Sequence, residues 1–216
     1  MKYLLKPFKW SSHDKIINLT EKGKSVLDVG CASGYLASFL KEKGCQIDGI
    51  DTDTESIREA KRHLNAYVLD ISKEKVVGKY DVIILGDILE HLEHPDKILS
   101  NFKDNLNKDG YVIISLPNIV NIYPRLKILF GYFDYEEKGI FDRTHLKFFT
   151  RKSLKELIDS TGYQIEKLDY TPIPIYVKFP YAPKFLLNGA YFILHVLSVF
   201  WPTLFAYQFV VKIKVK

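Results

Sequence analysis

Ser25-Val26-Leu27-Asp28-Val29-Gly30-Cys31-Ala32-Ser33-Gly34 decides how the rest of this 216-residue chain is read. An apolar, β-branched run reaches an acidic residue and breaks into a short loop bounded by glycines. Leu36, Phe39 and Leu40 then recur at helical spacing until Gly44. A buried strand, a tight loop and a helix in that order form the repeating unit of a parallel α/β sheet.

The same unit recurs outward from this stretch. Gln46 to Ile50 reads as a second strand ending at Asp51, and Thr54 as the cap of a helix with Ile57, Ala60 and Leu64 inward. Ala66 to Leu69 is a third strand ending at Asp70, and Tyr80 to Leu85 a fourth. Leu99, Phe102 and Leu106 mark another inward helical face, and Asp109-Gly110 turns the chain into a fifth strand, Tyr111 to Leu116. Past Pro117 the period is lost: residues 118–149 are rich in aromatics. Thr150 then caps a helix with Leu154, Leu157 and Ile158 inward and Gly162 at its end. Gln164 to Tyr170 is a sixth strand, 172–205 an apolar segment, and Ala206 to Val215 the last strand. The expected architecture is a single domain over 1–216. It is a seven-stranded, mostly parallel, doubly wound α/β sheet of Rossmann-like type with an antiparallel C-terminal strand. Two insertions decorate it, a substrate cap at about 118–149 and an apolar helical segment at about 172–205.

Composition narrows the class. Apolar residues at 47% and charged residues at 26% suit a protein with a packed core and exclude disordered and fibrous classes. Cys31 and Cys45 are the only cysteines, too few for a disulfide framework, which points to a reducing compartment. The net charge of +5 is spread without Lys/Arg blocks, so no nucleic-acid partner is expected. Charges and a proline interrupt the opening MKYLLKPFKW, which argues against an export signal and for a cytoplasmic protein.

In open parallel sheets ligands bind beyond the carboxyl ends of the strands. Gly30 is followed by Gly34, with Tyr35 in the last position, which is neither the dinucleotide spacing nor a P-loop. The loop still lets a ligand approach the backbone closely. Asp51 is placed to accept from both hydroxyls of a ribose, and Asp70 from the exocyclic amine of a purine.

These motifs, together with Gly49-Ile50-Asp51, Leu69-Asp70 and Tyr80 to Leu92, resemble the ordered motifs of class I S-adenosylmethionine-dependent methyltransferases. The branch they resemble most is that of the ubiquinone-type O-methyltransferases. Ala32 stands where that family often has glycine, and Ser33 where it often has threonine. The resemblance implies S-adenosyl-L-methionine as cofactor, held by Asp28, Gly30, Cys31, Ser33, Gly34, Asp51, Thr52, Asp70, Ile71, Gly86 and Asp87, with Asp28 beneath the methionine moiety. Phe141 to Thr150, Trp10-Ser11-Ser12-His13 and Leu204 to Phe209 resemble methyltransferases that accompany surface-polysaccharide glycosyltransferases. That second resemblance implies a sugar, a lipid-linked sugar or a related small polar metabolite as acceptor.

Methyl transfer to a hydroxyl needs alignment and removal of one proton. Histidine is the default base near neutrality, so His145 and His91 are the catalytic candidates, with Asp142 placed to orient His145. The plainer readings are that His91 packs on the sheet rim and that His145 anchors the insertion. Two further alternatives stay open: a cofactor-binding regulator without catalysis, and a metal-dependent RNA 2′-O-methyltransferase. For the latter, Asp87, Glu90, His91 and His145 could supply ligands. An Asp replaces the usual Glu and the basic surface is missing, so no metal is assigned. Phe185 to Pro202 approaches the length of a membrane span, but Asn188, Gly189, His195 and Ser198 interrupt it and a strand must follow. It is read either as a helix buried against the 118–149 insertion or as a partly exposed apolar surface resting peripherally on a membrane. The oligomeric state is left open.

Overall fold

The computed structural model describes residues 8–216. Residues 1–7, on which the reading of the chain start partly rests, lie outside the described residues. The elements follow in the order α1 (Ser12–Leu19), β1 (Ser25–Val29), α2 (Ala37–Glu42), β2 (Gln46–Asp51), α3 (Thr54–Ala60), β3 (Asn65–Val68) and β4 (Tyr80–Gly86). A 3-10 turn at Leu89–His91 leads to α4 (Pro95–Asn101), and a second at Phe102–Asn105 leads to β5 (Leu106–Pro117). Then come α5 (Ile122–Leu129), α6 (Arg151–Ser160), β6 (Tyr163–Thr171), α7 (Ile175–Lys178), α8 (Lys184–Phe200), α9 (Pro202–Phe205) and β7 (Gln208–Val215).

The seven strands form one sheet in the order β3-β2-β1-β4-β5-β7-β6. The β1–β2, β2–β3, β1–β4 and β4–β5 pairs are parallel, and β7 runs antiparallel to both β5 and β6. Strand order reverses between β1 and β4, so the loops after these two strands diverge and open a crevice at their carboxyl ends. The central strands are buried on both faces. Ile83, Leu85, Val112 and Ile114 pack under α4 and α6, while Val82, Ile84 and Ile113 pack under α1, α2 and α3. A period of two with both phases apolar is what a doubly covered parallel sheet requires.

Local chemistry moved several boundaries. Asp53, not Thr54, caps α3, its carboxylate accepting from the Glu55 and Ser56 N–H groups. The residue holding extended φ/ψ is the cap, and Thr54 is already helical. Leu106 lies on β5 rather than on a helical face, because the chain tightens into the 3-10 turn and pairs with Tyr80 across an irregularity. Thr150 and Ser153 form a reciprocal capping box on α6, which Gly162 follows at φ +73°.

The reading of Phe185 to Pro202 as a helix buried on the aromatic insertion does not hold. α8 rests on β6 and α9, with Leu187, Tyr191 and Ser198 as its buried seam. The Trp10 ring stacks on His195 with centroids 4.1 Å apart. Most of the remaining side chains are open to solvent, which matches the second reading, a partly exposed apolar surface. Among the described residues, no helix is long and apolar enough to cross a membrane.

Candidate cofactor and acceptor site

The loop after β1 is pinned to β2 by its own backbone. The Gly30 and Cys31 N–H groups both donate to the Ile50 carbonyl, at 2.7 and 3.1 Å. Gly30 has φ +73°, and a Cβ built there would lie 2.1 Å from Ile88 Cδ1. A side chain there would be strained and would have to push Ile88 aside, and the bare backbone forms one wall of the crevice. Ala32, the departure from the family's glycine, takes φ +45°. Its N–H donates to Asp51 Oδ2 at 2.9 Å, a bond that helps hold the strained turn. Asp51 Oδ1 accepts from the Asp53 N–H at 2.9 Å, so each carboxylate oxygen keeps a lone pair for a further donor.

Two adjoining cavities share Gly30, Asp87, Ile88 and His91. The first, about 410 Å³, is bordered by Asp51, Thr52, Asp70, Ile71 and Asp87 at the ends of β2, β3 and β4. The second, about 290 Å³, is bordered by Gly86, His91, Asp142, His145, Tyr207 and Gln208 among others. A larger cavity of about 480 Å³, between Glu74–Lys79 and Asn101–Asn105, lies off the carboxyl ends of the central strands. None of the strand-end carboxylates Asp51, Asp70 and Asp87 borders it, so it is a poorer candidate than the crevice at the switch point.

The expected cofactor residues divide between walls and supports. Gly30, Asp51, Thr52, Asp70, Ile71, Gly86 and Asp87 border the cavities. Asp28, Cys31, Ser33 and Gly34 border neither. Asp28 is buried, and its carboxyl is pushed up to about 7, first by burial and then by the nearby Asp51 charge. Burial, with Asp28 and Asp51 adding to it, pushes the Cys31 thiol up to about 12. Cys31 therefore fills space against Gly49 and is no nucleophile. Asp70 pairs with Lys73 at 2.8 Å and accepts from the Ser72 N–H, which holds its carboxyl below the usual range. Asp87, at φ +55°, accepts from Ser115 Oγ at 2.8 Å and from Gln208 Nε2 at 2.9 Å on both oxygens.

The catalytic candidates converge from distant parts of the chain. The His91 and His145 rings meet edge to face with centroids 4.8 Å apart. Asp142, expected to orient His145, does not do so. Its Oδ1 accepts from the Thr144 N–H at 2.8 Å and Oγ1 at 2.6 Å, the compact turn that Asp favours with the residue two positions on. Thr144 spends its one hydroxyl proton on Asp142, so its Oγ1 and carbonyl accept Nδ1–H from His91, at 3.0 and 3.2 Å. His145 Nδ1 lies 3.2 Å from the Ile140 carbonyl and must donate to it. Both rings then carry the free lone pair on Nε2. Burial, with His91 beside it, holds His145 below the usual histidine range and keeps it neutral near pH 7.

Glu90 was given only a minor part at the sequence level, yet it is 1% exposed and both its carboxylate oxygens lack a hydrogen-bond partner. Burial, then Asp87 and Asp142, raise its carboxyl well above the ordinary value. Its backbone carbonyl takes the Leu146 and Lys147 N–H groups at 2.8 and 3.0 Å, tying the 3-10 turn to the insertion. Glu90, His91 and His145 each present a ligand atom within 4.8 Å of the others. His13 and Gln208 were also missed as wall residues, although both fall in the motifs quoted from the two ends of the chain. His13 Nε2 lies 3.3 Å from the Tyr35 hydroxyl, and burial lowers its pKa. Lone polar residues near the chain ends carry no local signal that they belong here.

Comparison with known proteins agrees with this geometry. Residues 11–168 match the family described as methyltransferase domain, and the chain belongs to that family. It is a class I S-adenosylmethionine-dependent methyltransferase, and the curated relatives it matches are ubiquinone biosynthesis O-methyltransferases. It is 29% identical over 166 residues to the ubiquinone biosynthesis O-methyltransferase of Coxiella burnetii (strain RSA 493 / Nine Mile phase I), covering 72% of this chain and 69% of that enzyme. The corresponding enzyme of Glaesserella parasuis is 29% identical over 109 residues, 44% of this chain and 46% of that protein, so there the match spans less than half of the relative. Among solved structures, magnesium protoporphyrin IX methyltransferase from Synechocystis PCC 6803 with bound SAH superposes with a TM-score of 0.65. It shares 16% identity, with 95% of this chain and 82% of that one covered, a likeness of fold. A SAM-dependent methyltransferase from Archaeoglobus fulgidus gives 0.63 at 19% identity, covering 93% and 90%. The first cavity fits S-adenosylmethionine: a glycine wall where a Cβ would clash, and a strand-end carboxylate with lone pairs to spare.

Proposed function

We propose that this chain methylates an oxygen of a small polar acceptor, a sugar or lipid-linked sugar being the class favoured. It would act as one domain with its two insertions at the site's rim, on the cytoplasmic side and in peripheral contact with a membrane. The observation that carries the reading is the second cavity, which shares Gly30, Asp87 and His91 with the first and is lined by both His91 and His145. The cofactor supplies an activated methyl group for in-line displacement. The protein's part is to align the acceptor hydroxyl and take its proton on a histidine Nε2 as the oxygen–carbon bond forms. His145, whose pKa burial lowers, is free to take that proton, and His91 is steadied by Thr144 and Asp142. The ubiquinone biosynthesis O-methyltransferases among the relatives support oxygen as the methylated atom. Asp142, Lys138 and Gln208 give the pocket a polar wall suited to a hydroxyl-rich acceptor. Incubation with methyl-labelled cofactor and extracted glycans or glycolipids, followed by product identification, tests the reading. A methylated hydroxyl that is lost in His145→Ala supports it, and label found only on nitrogen or carbon overturns it.

A second reading rests on Glu90. A buried carboxyl with both oxygens unpartnered beside two histidine lone pairs is also a donor set for a divalent cation, which would hold the acceptor oxygen instead of deprotonating it directly. Turnover abolished by a chelator and restored by a divalent ion selects this reading, and turnover indifferent to chelation selects the first.

A further inference from the structure

α8 is oriented opposite to an ordinary surface helix. Its seam Leu187, Tyr191 and Ser198 is buried, whereas the outward residues are Phe185, Leu186, Phe192, Ile193, Val199 and Phe200, with Phe185 73% and Phe200 84% exposed. Tyr181 precedes the helix at 99% exposure and Trp201 follows it at 61%. Contiguous apolar surface of this kind marks a contact site. The surface does not stop at α8. Lys178, at the end of α7, lies over the Tyr123 ring of α5 at 3.6 Å. That contact ties α7 to a second helix, α5, with Leu126, Ile128 and Leu129 outward.

Charge identifies the occupant. From Tyr170 to the C-terminus there is no acidic residue, and residues 118–133 have none either. Lys178 and Lys184 stand at the N-terminal end of α8. Arg125 lies on α5, and Lys9 lies over Trp10, whose ring packs against α8. Amphipathic rings at both ends, an apolar strip between them and cations at the margin match the interface of an anionic bilayer. Topology sets the orientation. α8 is reached from β6 and leaves through α9 to β7, and these two strands are paired neighbours. Both ends are therefore anchored on one side, so the helix can only lie along a surface.

We infer that the α8 face docks this protein on anionic lipid bilayers. This deepens the reading of a lipid-linked acceptor, because the Tyr207 and Gln208 wall of the second cavity follows directly on α9. The docking itself is read without any acceptor. The test is co-sedimentation of the full chain with vesicles of phosphatidylcholine alone or mixed with phosphatidylglycerol. A variant carrying Phe185→Glu, Phe192→Glu and Phe200→Glu is run in parallel, with calorimetric cofactor binding as its control for folding. The three side chains are each more than half exposed, and Phe192 also lies beside the Trp10 ring at 6.0 Å. The expected result is partition onto the anionic vesicles that about 0.5 M salt weakens and that the variant loses by about tenfold or more, at unchanged cofactor affinity. Equal partition onto neutral vesicles, no partition, or an unchanged variant overturns it. So does a dimer that the same substitutions dissolve without vesicle binding, which would make a second copy the occupant. Methyl transfer to lipid-linked sugars is assayed separately, so failure of the acceptor reading leaves the vesicle result intact.

Discussion

Asp51 does two things at once. Its carboxylate holds the Ala32 and Asp53 N–H groups, and it faces the first cavity with a lone pair left on each oxygen. Asp51→Ala removes a charge-assisted acceptor and loosens a turn that Ala32 holds at positive φ. Cofactor binding measured by calorimetry is expected to weaken by roughly 1–3 kcal/mol. Asp28 makes a different prediction. Its carboxyl, raised to about 7, binds a proton more tightly in the folded chain than in the unfolded one. The stability this gives is fully present below the unfolded value of about 4 and is lost as pH rises through about 7. The thermal midpoint of the cofactor-free protein should fall across that interval, and Asp28→Asn should flatten the fall. A variant with the wild-type slope would remove Asp28 as the cause. At this scale the sequence was legible where one residue type has one use, as with Gly30 and Asp51. It was misleading at Asp142, where adjacency to His145 suggested a pair. The turn sends that carboxylate to Thr144 and through it to His91.

Helix α6 shows how much an element owes to its first residue. Thr150 and Ser153 satisfy each other's backbone donors, and Thr150 directly follows Phe149, which closes the aromatic insertion against the core. Thr150→Ala is expected to cost about 1 kcal/mol in chemical denaturation. Because the cap touches neither cavity, cofactor affinity should not change. This element could be read in advance because capping and the inward Leu154 and Ile158 are local signals. α8 could not. Its apolar residues are as compatible with a core helix as with an exposed one, since periodicity reports a helix and not what covers it.

At the scale of the molecule, the second cavity exists because the chain returns. β7 inserts between β5 and β6, and its first residue, Gln208, clamps both oxygens of Asp87, 121 residues away in sequence. Gln208→Ala leaves Asp87 with Ser115 as its remaining side-chain donor among the described residues. Cofactor affinity is expected to fall by about 1 kcal/mol, near fivefold, in a titration that compares the variant with wild type. An unchanged affinity would show that Asp87 is held well enough from β5.

The chain's own pattern determined the alternation of strands and helices, the glycine loop, the strand-end carboxylates and the antiparallel last strand. Each of these rests on interactions within a few residues or on burial of both sheet faces, and such demands are written as spacing. Only the tertiary structure decided that Glu90, His91 and His145 meet, that Asp142 bonds toward His91 through Thr144 and not to His145, and that α8 turns its apolar side outward. Those facts depend on where residues 118–149 and 172–205 land on the sheet. Contacts made across 50 or more residues leave no period in the sequence, as the 53 between His91 and Thr144 illustrate.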